Sequence, residues 1–174
     1  MPSIVGTFGT PFDAIDSDVL KLFSPETVAA TPSFSSTIPA GSTIVGMQVD
    51  VTAFIGDTNS GASQDDMIKV STNAGSDYSN GTTPSPLFGT TPMTNTTFGG
   101  STFLWGLSDA AWDAFISTPS NMRILLTPLG PNGNLFYIDY LRVVIYYSDA
   151  SIPTGGQLNF SSGRIAISEG RISL

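Results

Sequence analysis

Between Thr43 and Phe54 the apolar residues fall on every second position. Val45, Met47, Val49, Val51 and Ala53 alternate with Gly46, Gln48, Asp50 and Thr52. A period of two over about ten residues is the pattern of a strand with one face in a core and the other toward water. Ile38-Pro39-Ala40-Gly41 leads into it, a turn in which Pro39 presets φ and Gly41 supplies the freedom the corner needs. The apolar face of such a strand has to be covered, so a second layer is expected.

The rest of the chain reads as more strands of the same kind. Asp18–Phe23, Asp66–Val70 and Met122–Thr127 are short strand candidates. Asn134–Tyr147 is a long one, apolar on both faces: Leu135, Tyr137, Leu141, Val143 and Ile145 on one, Phe136, Ile138, Tyr140, Val144 and Tyr146 on the other. A strand apolar on both sides is central in a sheet or covered by another chain. Pro128–Gly133 before it ends in Asn-Gly, a hairpin signal. Ser108–Ser117 is the one helix expected. Ser108 is a suitable N-cap, Asp109 suits the first turn, and Trp112, Phe115 and Ile116 fall on one face. Pro119 stops it. Residues 71–103 are rich in Gly, Ser, Thr, Asn and Pro, and either conceal short strands (Pro86–Gly89, Thr96–Phe98) or form a functional loop.

The fold class expected is all-β, an antiparallel sandwich with one short helix and extended terminal arms. Residues 1–30 read as an arm with a first strand, 31–148 as the sandwich, and 149–174 as a linker and docking tail. The tail holds a short repeat, Gly163-Arg164-Ile165 and Gly170-Arg171-Ile172, seven residues apart. Charge divides along the same boundary. Residues 1–149 hold four basic and thirteen acidic residues, a net of −9, while residues 150–174 hold two basic and one acidic, a net of +1.

Composition removes most functional classes. The net charge of −8 argues against nucleic acid and against an anionic membrane surface. No apolar run approaches the ~20 residues of a spanning helix. Met1–Thr10 lacks the charged and apolar regions of a secretory leader, so none is expected. With no Cys and no His, there are no disulfides, no thiolate or imidazole metal sites and no histidine base. Ser and Thr together make 43 of 174 residues, a β-protein composition that fits a structural or binding module better than an enzyme. No cofactor is expected, and Gly99-Gly100-Ser101-Thr102 lacks the lysine of a phosphate loop.

Three sets of residues invite a chemical reading. Asp57, Asn59, Asp65 and Asp66 offer closely spaced oxygens of the kind that bind Ca²⁺, but without the closing acid of an EF-hand, and a solvated turn explains them as well. Asp109, Asp113 and Asp139 would be the carboxylates of a hydrolase, against which stands a capped, exposed helix face. Trp105 and Trp112, with Tyr137, Tyr140, Tyr146 and Tyr147, could stack on sugar rings or simply fill the core.

Four stretches in order carry a resemblance: Ile38-Pro-Ala-Gly-Ser-Thr-Ile-Val-Gly46, Phe98-Gly-Gly-Ser-Thr-Phe-Leu-Trp-Gly-Leu107, the helix-like Ser108–Ile116, and Ile138-Asp-Tyr-Leu-Arg-Val-Val-Ile-Tyr-Tyr147. Over about residues 31–147 the chain resembles a jelly-roll-like β-sandwich module of tailed-bacteriophage structural proteins. Pro39, Gly41, Gly99, Gly100, Trp105, Gly106 and Trp112 are the motif positions that carry it. The loop at 71–97 is longer than in that module, and the repeat-bearing tail lies outside it. The resemblance implies a non-enzymatic virion component, assembled in a bacterial cytoplasm. A capsid decoration (cement) protein fits best; a tail, neck or fibre protein, or a glycan-binding adhesion module, are the alternatives. The partners implied are copies of the chain itself, as a trimer or dimer, and the major capsid protein or another virion protein. Arg164 and Arg171 would then meet acidic groups, and Ile165, Ile167, Ile172 and Leu174 would fill pockets on a neighbouring subunit.

Overall fold

A computed structural model describes residues 1–10, 20–23, 27–55, 68–80, 94–127, 135–149, 158–160, 163–168 and 171–173. The strands are β1 (Ser3–Thr7), β2 (Leu20–Phe23), β3 (Val28–Ala30), β4 (Ser33–Phe34), β5 (Thr43–Ile55), β6 (Ile68–Ser71), β7 (Thr94–Gly100), β8 (Arg123–Leu126), β9 (Leu135–Ser148), β10 (Leu158–Phe160), β11 (Gly163–Ser168) and β12 (Arg171–Ser173). One helix, α1 (Asp109–Ser117), lies among the described residues. The class is all-β and antiparallel throughout, with two sheets enclosing a common core as a sandwich does.

The large sheet runs β4-β1-β9-β5-β7. β9 is its axis: β5 pairs along one edge, while β1 (opposite 142–146) and β2 (opposite 135–138) follow one another along the other. The small sheet runs β3-β8-β6, in which Ala30, Ile124 and Val70 form one cross-strand row and Val28, Leu126 and Ile68 the next. These rows share one buried cluster with Met47, Val49, Val51 and Ala53 of β5 and Leu141, Val143 and Ile145 of β9. Each of the larger side chains among them, Val, Leu, Ile or Met, contributes roughly 1.5–3 kcal/mol by leaving water, which is what holds the layers together.

Two bulges correct the simple face assignment of the long strands. β5 and β9 slip between Ile44 and Gly46, so Ile44 is buried beside Met47 and Val45 is only half-buried. They slip again opposite Thr52 and Ala53, where Asp139 is the extra residue of β9. An added residue reverses which side faces inward. Phe136 and Ile138 therefore enter the core before the bulge, and Leu141, Val143 and Ile145 after it. The bulge accounts for a strand that reads as apolar on both faces. β9 is central, and its outer face is half-open, with Tyr137, Tyr140, Arg142 and Tyr146 partly exposed.

The arm expected at residues 1–30 is, over residues 3–7, 20–23 and 28–30, strand within the two sheets, with Ile4 and Phe8 in the core. Strands of three to five residues, the first of them holding Gly6, carry too little periodicity to be seen in isolation. The strand candidate Thr96–Phe98 lies within β7, which pairs with Met47–Ala53, and the candidate Pro86–Gly89 lies outside the described residues. Residues 71–80 form a turn folded on its own side chains. Gly75 N–H donates to Ser71 Oγ at 2.9 Å, and Asp77 N–H donates to Asn73 Oδ1 at 3.0 Å.

The helix starts where its cap places it: Ser108 Oγ accepts from the Ala111 N–H. Trp112 and Phe115 are buried, and Phe115 meets Phe34 edge-on at 5.4 Å. Pro119 opens a single 3-10 turn, Pro119–Asn121, that leads into β8.

Candidate functional site

The motif positions gather around one backbone crossing. Ser42 N–H donates to Pro39 O at 3.1 Å, closing a turn in which Gly41 has φ +82°. That turn launches β5. At the end of β7, Gly99 has φ +73° and lies against Met47 of β5. The chain then turns back: Phe103 N–H donates to Gly100 O at 3.2 Å, and Met47 N–H donates to Phe103 O at 3.0 Å. Trp105 follows in a left-handed conformation, φ +60°, 2% exposed, with its Nε1–H donating to Met47 O at 3.0 Å. Gly106, at φ +68°, completes the turn before the helix. Trp112 is buried on the helix and does not take part in the crossing bonds. The constellation is structural, tying β5, β7 and the helix entry into one unit.

The outer face of the large sheet carries a polar network that periodicity alone did not flag. Register sets Asp50 opposite both Arg142 and Thr97. The Asp50 carboxylate accepts from Gln48 Nε2 (2.7 Å), Thr97 Oγ1 (2.7 Å), and Arg142 Nε and Nη2 (2.9 and 2.7 Å). Tyr146 Oη donates to Gln48 Oε1 at 3.1 Å. Farther along the face, Phe54 and Tyr137 stack at 4.5 Å. The signal in the sequence was an acid and a base, each in the middle of one of the two longest strands.

The Asp50 side chain is 3% exposed and that of Arg142 43%. Four donor atoms from three side chains on three strands converge on the carboxylate, so the network braces the sheet. The hydrogen bond from Arg142 to Asp50 raises the guanidinium pKa above its ordinary value, against the opposing pull of burial. A raised value in the folded state stabilises fully below the ordinary arginine range and is lost only as pH rises through the raised one. The pair therefore persists throughout the neutral range. Arg142→Met is expected to cost about 1–2 kcal/mol, discounted for the exposure of the arginine, by leaving a nearly buried carboxylate with neutral donors alone. The same change in an Asp50→Asn background should cost less. Equal costs in a thermal-melting cycle would show that the two side chains are uncoupled.

The carboxylates of a hydrolase are not assembled. Asp109 and Asp113 are exposed on α1, whereas Asp139 is fully buried in the β9 bulge. Among the described residues no three acidic groups gather as a metal site. The calcium candidates Asp57, Asn59, Asp65 and Asp66 lie outside the described residues. Of the aromatic candidates, Trp105 and Trp112 are core, and Tyr137, Tyr140, Tyr146 and Tyr147 are half-buried. A shallow hollow of about 350 Å³ is lined by hydroxyls and prolines around Phe34, with no charged group.

The tail residues take a definite backbone arrangement. β10, β11 and β12 pair with one another as a three-stranded antiparallel sheet, in the order of the sequence. Leu158 pairs with Ile165, Asn159 with Arg164, Phe160 with Gly163, Ala166 with Ser173, Ile167 with Ile172, and Ser168 with Arg171. Paired residues share a face, and neighbours along a strand alternate. Register therefore places Leu158, Phe160, Ile165, Ile167 and Ile172 on one face with Gly163. Asn159, Arg164, Ala166, Ser168, Arg171 and Ser173 are on the other. Leu174 lies outside the described residues. The seven-residue repeat is thus a repeat of face pattern: each arginine is on the polar side and each following isoleucine on the apolar side.

Comparisons with family models, with curated proteins and with solved structures found no match for this chain.

Proposed function

We propose that this chain is a non-enzymatic structural protein of a tailed-bacteriophage particle, of the capsid decoration type, that holds to neighbouring subunits through its C-terminal sheet. One observation carries the reading: residues 158–173 pair among themselves into a small sheet with an apolar face and an arginine-bearing face, following an acidic body. Strands of three, six and three residues fall far below the size at which a chain buries a core of its own. A segment built this way is made for docking. The particle type comes from the resemblance over residues 31–147.

The mechanism is binding energy distributed over a lattice. Each tail makes modest contacts, and repetition across an assembled surface makes them persistent. Arg164 and Arg171 meet acidic groups while the apolar face fills a neighbour. The body, braced by the Asp50 network and the Trp105 crossing, is the rigid part. The major capsid protein, or another virion protein, is the lattice partner, met in the host cytoplasm during assembly. A few copies per particle instead of a lattice-scale number would move the same reading to a tail, neck or fibre. The burial of both tryptophans counts against a glycan-stacking platform.

Deleting residues 157–174 should abolish incorporation into particles while leaving the thermal melting of the body unchanged. Normal incorporation of the truncated chain would overturn the assignment of docking to the tail.

A further inference from the structure

Phe103 and the hollow around Phe34 are two features of the body that neither the sheet packing nor the tail accounts for. Phe103 is 45% exposed, the one phenylalanine or tryptophan exposed among the described residues. It is firmly held all the same. Its N–H donates to Gly100 O at 3.2 Å, its carbonyl accepts from Met47 N–H at 3.0 Å, and its ring meets Trp105 edge-on at 5.5 Å. Trp105 itself sits at φ +60°, a conformation that is costly for any residue but glycine. Such a corner presents an aromatic side chain with little ordering left to lose on contact. The hollow is built as firmly. Phe34 in its lining is seated against Gly6, where a Cβ would come within 2.6 Å of the ring, and is edge-on to Phe115 at 5.4 Å. Pro32 and Pro119 add to its apolar lining, and Ser33, Ser36 and Ser120 are among its hydroxyls.

We propose that Phe103 of one copy of this chain seats in the Phe34 hollow of the next. Position, size and charge select this occupant. Register aligns Phe34, Gly6, Val143, Val49 and Phe98 in one row across the five strands β4-β1-β9-β5-β7. The hollow and the turn after β7 are therefore at opposite ends of the large sheet, about 19 Å apart at ~4.8 Å per strand. Phe103 cannot fill the hollow of its own chain. The hollow has a volume of about 350 Å³. A cavity of roughly 150 Å³ already takes a benzene ring, so a phenyl side chain enters without displacing the lining. Charge completes the selection. Copies of a chain of net charge −8 repel one another wherever their acids face, so a contact between copies has to use uncharged surface. No charged residue occurs between Glu26 and Asp50 or between Asp77 and Asp109, and Phe34 and Phe103 lie in these two runs of 23 and 31 residues. Pro119 and Ser120, which complete the hollow, are uncharged too. A partner attracted by opposite charge would instead meet the acidic surface outside these runs. An anchor and a receptor at opposite ends make a head-to-tail contact, which closes into a ring or runs on as a chain. This contact adds to the docking of the tail and does not depend on it.

The test uses the full-length chain, purified alone, with its mass followed by sedimentation equilibrium over a concentration series up to about 1 mM, a range that populates even a contact of millimolar affinity. The mass should rise to at least twice that of one chain. Phe103→Ser removes the anchor, and Ser36→Glu with Ser120→Glu puts two carboxylates in the receptor. Each variant alone should keep the mass of a single chain at every concentration, with cooperative thermal melting retained. Mixed in equal amounts, the two variants still hold one intact anchor and one intact receptor between them. The mixture should therefore form pairs and stop at two chains, which also shows that both variants are folded. Association through the tail alone would survive both changes. A single-chain mass for the unaltered protein throughout the series, a multiple that survives either change, or a mixture of two melting-competent variants that stays single would overturn the proposal. The outcomes separate from those of the particle reading. A chain that self-associates in this way and does not enter particles sinks the particle reading alone, and a single-chain protein that does enter them sinks this inference alone.

Discussion

Trp105→Ala should lower the stability of the body by about 3–5 kcal/mol, a large part of the 5–15 kcal/mol a domain of this kind has in total. The indole is 2% exposed and packs edge-on against Phe103 at 5.5 Å. Its removal loses the transfer free energy of the ring and leaves a cavity between β5 and the segment that crosses it. It also takes the donor away from Met47 O, a carbonyl in the middle of the core-facing strand. Trp105→Phe separates the two contributions. It keeps most of the apolar area but not the N–H, and should cost about 1–3 kcal/mol. Chemical denaturation followed by far-ultraviolet circular dichroism reads both. A cost below 1 kcal/mol for the alanine variant would mean that the crossing does not hold the layers.

Gly99→Ala should be as damaging, and Gly100→Ala nearly silent. At Gly99 the backbone has φ +73°, where an L side chain is strained by roughly 1–2 kcal/mol. A Cβ there would also lie 2.4 Å from Met47 O and 2.9 Å from Trp105 Nε1. The first of these is backbone paired in two directions and cannot retreat without parting β5 from β7. A total of about 3 kcal/mol or more is expected. At Gly100 a Cβ meets nothing within 4 Å, so the change should stay within about 0.5 kcal/mol. Two adjacent glycines with opposite outcomes make a sharp comparison. Similar melting temperatures for the two variants would contradict the close approach of Gly99 to Met47.

How much of this was readable beforehand depended on how local each signal was. The β5 alternation, the Ser108 cap with Trp112 and Phe115, and the Pro39–Gly41 turn are written within a dozen residues, and each element lies where its pattern placed it. What failed was non-local. β1 is recognisable as a strand only beside β9, because its few apolar residues are spaced by glycine and threonine. The bulge at Asp139 depends on the pairing of two strands some ninety residues apart in sequence, so the face reversal of β9 had no local mark. The Asp50–Arg142 pair was equally hidden: each residue alone looks like an ordinary outward position, and only register joins them. In the tail, the repeat was evident in the sequence, but its division into an apolar and an arginine face needed the pairing of Ile167 with Ile172.

The function proposed for this protein is attachment to neighbouring subunits of a particle through the strands β10 to β12. Counting the copies of the chain in purified particles, for the full-length and the truncated protein side by side, addresses that most directly. The account predicts many copies on the outer surface of particles made with the full chain and none on those made with the chain ending at residue 156. Equal counts for the two, or a full-length chain found wholly outside particles as single molecules, would contradict it.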